Sequence, residues 1–163
     1  MNAREHAIAL LKFVRSISEG IVKDFPDEKF TTQNHAADNH PTWALGHLAS
    51  TDGWIAGVLG IPGVKVPESY GTLFGQGSKP DRDAKKYPAP AELRQVWAET
   101  HAAVMKWFES APESALQGDL KEKTGGFATD PIDLMFKIAW HEGWHMGQVA
   151  TLRKALGLKP VMG

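Results

Sequence analysis

Leu10, Phe13, Val14, Ile17 and Ile21 recur at three- and four-residue intervals with charged residues between them, a spacing that an α-helix turns into one apolar face. The pattern predicts a first helix over residues 3–24. It stops at "DFPDEKFTTQN", and Pro41, a residue suited to a first helical turn, opens a second helix expected over Pro41–Leu59. From Gly60 to Ala89 the chain holds nine Gly or Pro residues and no apolar period, which reads as a link without a helix. A third helix is expected over Pro90–Ser110, its inner stripe made by Leu93, Val96, Trp97, Thr100, Val104 and Trp107. "TDPID" starts a fourth, with Thr129 or Asp130 as cap and Pro131 in the first turn, and Gly157 and Pro160 stop it. Four such helices with no convincing strand give an all-α, four-helix bundle. The long link is a crossover between helices 2 and 3, which sets an up-down-down-up order over a single domain, residues 1–163.

Composition narrows the chemistry. With no cysteine there is no disulfide framework, thiolate nucleophile or Cys-based metal site, so the seven histidines become the main suspects. A formal net charge of -1 without a basic cluster gives no footprint for nucleic acid. Charges at Arg4, Glu5, Lys12, Arg15 and Glu19 interrupt the N-terminal helix, excluding a signal-peptide core, and no other segment is apolar enough to span a bilayer. The expectation is a cytoplasmic protein without membrane partners.

"HEGWH", His141 to His145, satisfies the H-E-x-x-H pattern of zinc metalloproteases. At 100° per residue the two histidines lie about 40° apart and one turn along the helix, on a stripe shared with Leu134, Ile138, Gln148 and Leu152. Helix 2 places His47 with Trp43, Thr51 and Trp54 by the same arithmetic, making it the natural third ligand. A lone interior histidine is ordinarily a packed, hydrogen-bonded residue. Two unpaired imidazoles on a core stripe would each cost about 1–3 kcal/mol in desolvation, however, and a shared ion removes that cost for both. The protease reading fails elsewhere: the eighteen residues after His145 contain no His, Asp or Glu to complete a zincin site, and no strand is present to bind a peptide.

With "HPTWALGHLA" in helix 2, the Gly-rich crossover, and "WHEGWHMGQ" in helix 4, the chain resembles the DinB-like (DinB/YfiT) superfamily of small four-helix bundles. The resemblance implies a divalent metal, zinc or nickel, held by three histidines, which carries over to His47, His141 and His145. It also implies a homodimer and an affinity with thiol-dependent transferases, whose partner is a low-molecular-weight thiol.

Three imidazoles leave an open coordination position, the arrangement of a catalytic centre. Glu142 is a candidate base, weighed against a solvated or interhelical glutamate, while Gln148 and Thr51 are placed to support the ligands or touch substrate. Trp43, Trp54 and Trp144 are expected in the core. His40 and His101 are weaker ligand candidates, and His6 and His35 read as surface residues. Two functions stay open: a metal-dependent transferase or hydrolase acting on a small molecule, and a non-enzymatic metal-binding bundle with a structural or sensing role.

Overall fold

Each long helix begins where the sequence supplies a cap or a proline. Asn2 and Glu5 exchange bonds of 2.9 Å between side chain and backbone, a reciprocal box that starts α1 (Ala3–Lys23). His40 caps α2 (Pro41–Leu59) by accepting the Trp43 N–H on Nδ1, and Gly60, at φ 69°, ends that helix in a left-handed turn. A short α3 (Ser69–Phe74) precedes α4 (Pro90–Ser110), and Asp130 accepts the Asp133 N–H to start α5 (Pro131–Ala155). The computed structural model describes residues 1–36 and 38–162, and no strand occurs among them.

α1 packs on α5 and α2 on α4. Along α1 and α5, Arg15 meets Glu142 and Asp24 meets Arg153, so contacting positions rise together in both helices. Against α4 the order reverses: Arg4 donates to the Phe108 carbonyl and Arg15 to that of Trp97. Two apolar clusters fill the interior. One gathers Phe30, Trp43, Tyr70, Phe74, Leu93 and Met146; the other Leu11, Ile55, Val104, Phe108, Leu134 and Met135. On every long helix a polar position falls between the residues of the two clusters: Arg15 on α1, Asp52 on α2, His101 on α4, Glu142 on α5, all buried.

Three expectations are corrected. The crossover is not helix-free, because α3 carries Tyr70 and Phe74, both fully buried against α2. Gly46 makes that approach possible: a Cβ there would sit 2.4 Å from the Phe74 ring. The buried side of α1 is Ala7, Leu11, Arg15, Ser18, Ile21 and Val22, whereas Leu10 and Phe13 are exposed. Arginine is admitted inside because Glu19 accepts from its Nε, the Trp97 carbonyl from its Nη2, and the Glu142 carboxylate faces its Nη1 at 3.7 Å, which rotates α1 away from the face its largest apolar residues would choose. On α4, Phe108 rather than Trp107 is fully buried.

Candidate metal centre and its cavity

α2 and α5 bring His47, His141 and His145 together, as their helical spacing requires. Nε2 of His141 lies 3.2 Å from Nε2 of His47 and 3.1 Å from Nε2 of His145. Zinc bonds of about 2.0–2.1 Å in a tetrahedron place ligand nitrogens roughly 3.3–3.4 Å apart, so the spacing suits a shared ion. The tautomers agree. His47 Nδ1 lies 2.7 Å from the Phe74 carbonyl, which can only accept, so Nδ1 carries the proton and Nε2 a lone pair. Hydrogen bonds alone cannot satisfy three facing imidazole nitrogens, whereas an ion accepts a lone pair from each.

All three rings favour the neutral, ligating form. Burial lowers His47, and burial together with the neighbouring imidazoles lowers His141 to about 4 and His145 to about 3. Trp43 stacks on His47 at 4.5 Å between centroids, fixing the ring plane. Gln148 lies beside His145 and is itself held by Asn39 through a 2.8 Å bond. Thr51 spends its hydroxyl proton on the His47 carbonyl at 2.9 Å, leaving an oxygen that can accept.

The cluster opens onto a cavity of about 1190 Å³, lined by α2, residues 75–80 of the crossover, Thr124 and Phe127 of the link before α5, and α5 itself. Trp43 is buried as expected, but Trp54 and Trp144, expected in the core, are 43% and 55% exposed and form cavity walls. A model matching the DinB superfamily covers residues 10–149. The chain belongs to the DinB superfamily. No curated protein matches this DinB chain.

Within the DinB chain the other candidates lie apart from the three-histidine cluster. Glu142 is buried on the far side of α5, its carboxylate 3.7 Å from Arg15 and 3.8 Å from His101, and it does not line the cavity. Burial raises its pKa and Arg15 opposes the rise. His101 faces Asp52 at 3.5 Å as well as Glu142. His40, fully buried, uses both ring nitrogens, one on the Trp43 N–H and the other on the Asp81 carbonyl at 2.9 Å. His6 and His35 are exposed.

Sequence reasoning missed the crossover wall, Phe127 and the buried Arg15–Glu142 and His101–Asp52 contacts. A signal for the last existed: Arg15 and Asp52 interrupt helix faces that are otherwise apolar, as do the histidines. Nothing local marks residues 75–80, because their role follows from where α3 anchors them.

Proposed function

We propose that this DinB-superfamily chain is a metal-dependent enzyme that transfers a low-molecular-weight thiol to a small electrophile or hydrolyses a small molecule. His47, His141 and His145 would hold zinc or nickel on an up-down-down-up bundle. The observation that carries this reading is the position of the cluster: the Nε2 atoms of His47 and His145 both lie within 3.2 Å of that of His141, at the wall of a large cavity with aromatic lining rather than sealed in the core.

When bound, such an ion supplies Lewis acidity that favours the deprotonated form of a water or thiol at an open position. The chain's residues do the rest. Phe74 and Trp43 fix His47, Asn39 and Gln148 brace the His145 side, and the rings of Trp54, Phe127 and Trp144 bind apolar substrate surface and exclude water. The chain has no cysteine, so a thiol must arrive as substrate. Glu142 acts here as a positioning residue: its contacts with Arg15 and His101 hold the α5 turn that presents His141.

Metal analysis, followed by a thiol-consumption assay against a panel of electrophiles, tests the proposal. We expect one ion per chain and turnover that disappears with chelation. An ion held without turnover of any thiol or ester would favour the non-enzymatic bundle, and absence of a bound ion would remove both readings.

A further inference from the structure

The cavity beside the histidines has an uneven charge. No Asp or Glu lines it, and Lys79 is the one Lys or Arg among the lining residues described. Lys79 is exposed and makes no ion pair among the described residues. Apart from the three clustered histidines, every other side chain of the wall is uncharged. An anionic group entering the cavity would therefore meet a cation and no carboxylate on the described wall.

The backbone at Lys79 is fixed by the helix beneath it. Residues 74–81 run antiparallel to the start of α2, and side chains from successive turns hold them: His47 on the Phe74 carbonyl, Trp43 on the Ser78 hydroxyl at 2.8 Å, His40 on the Asp81 carbonyl. Gly77, at φ 87°, allows the chain to turn between those bonds. Lys79 is consequently presented from a strap tied down on both sides. Elsewhere the wall carries exposed aromatic rings: Trp54 meets Phe127 edge to face at 6.3 Å, and Trp144 lies on α5 one turn after Trp140, its stacked neighbour. These rings leave apolar surface open to a space many times the size of a water molecule.

We propose that the cavity binds a flat, apolar small molecule bearing an anionic group, with Lys79 contacting the anion and Trp54, Phe127 and Trp144 contacting the body. This deepens the reading of the cavity as a substrate site and rests on it. Lys79 is the specificity-determining residue, because a neutral analogue of the same shape gains the aromatic contacts and loses only the charge.

The test uses calorimetric titration of the full chain, zinc-loaded and zinc-free, with three probes of one shape: naphthalene-2-carboxylate, its neutral carboxamide, and cationic 2-naphthylmethylamine. Zinc content is measured in every variant. The wild type should bind the carboxylate about fivefold or more tightly than the carboxamide, and the amine least. Lys79→Gln should abolish the carboxylate preference without changing zinc content, and Lys79→Glu should favour the amine. Trp144→Ala should weaken all probes alike. A carboxylate preference that survives Lys79→Gln overturns the assignment, since the anion would then be recognised by the ion or by another group; so does equal binding of carboxylate and carboxamide by the wild type. Failure to load zinc would instead strike the metal-dependent reading, and the probe order in the zinc-free protein would still decide this one.

Discussion

Arg15 lies on the Trp97 indole with its guanidinium carbon 3.4 Å from the ring centroid, while Nη2 donates to the Trp97 carbonyl and Nη1 approaches Glu142. Its charge lies beside the buried Glu142 carboxylate, and His101 stands between Glu142 and a second buried carboxylate, Asp52. Removing one partner of such a set leaves an uncompensated charge in a poorly solvated place, so Arg15→Met should destabilise the protein by about 3 kcal/mol. Arg15→Met combined with Glu142→Leu should recover part of that loss; strictly additive losses in urea titrations would show that the two side chains are not coupled. At the cluster, His47→Ala should lower zinc affinity by orders of magnitude and abolish the thermal shift that zinc produces. The zinc-free forms should melt close together, and equal zinc occupancy in both proteins would point to a different third ligand.

Between α2 and the crossover strap, the ligand set and the cavity wall share parts. Phe74 fills the space over Gly46, and its carbonyl orients His47. Gly46→Ala forces the ring away, which should cost about 1–3 kcal/mol as overpacking. Because the same movement disturbs the bond to His47 Nδ1, zinc affinity should fall roughly tenfold or more, as for loss of other groups that orient a ligand. A variant that is destabilised but binds zinc with unchanged affinity would show that the strap and the centre are independent. The same linkage predicts that zinc slows amide exchange in residues 74–81 more than in α4, measured by mass spectrometry on the full chain.

Across the whole molecule, stability should follow the histidines. Burial and the neighbouring imidazoles lower His141 to about 4 and His145 to about 3 in the folded chain, from the ordinary histidine value of 6.5, and burial lowers His47 too. Groups with depressed folded values bind more protons when unfolded, so stability rises with pH between about 3 and 6.5. It is fully present above that window and is lost as pH falls through it. Glu142, raised by burial, has the opposite sign, but one carboxyl stands against three imidazoles. The zinc-free protein should therefore show a lower urea midpoint at pH 5 than at pH 7.5, and a midpoint that rises on acidification would contradict the burial assigned to the cluster. No described helix is long and apolar enough to cross a membrane. We also propose that the chain pairs with a second copy through the exposed apolar residues of α1 and α5, Phe13, Phe136 and Trp140 among them. Light scattering that finds only a 17.8 kDa particle at micromolar concentration would rule the pair out.

Helical periodicity, proline starts and glycine stops placed the four long helices almost to the residue, since those signals act within a few positions of one another. The same arithmetic aligned His141 with His145 and put His47 on an inward face, because residues one turn apart must share a side wherever the helix is placed. Angular position could not say which of two neighbouring stripes on α1 would face inward. That choice depends on the Trp97 carbonyl and the Glu142 charge meeting Arg15 across more than eighty residues of chain. It also could not separate the buried Trp43 from the exposed Trp54 and Trp144, since all three look alike on a helical wheel and differ only in what lies opposite. The strap carrying Lys79 owes its place to Phe74 seated over Gly46 and to three side chains of α2, contacts that exist only once the crossover has folded back along the helix. Local sequence determined the helices and the faces available to them; tertiary packing decided which polar groups meet and which surfaces remain open, because burial and hydrogen-bond satisfaction are properties of neighbours distant along the chain.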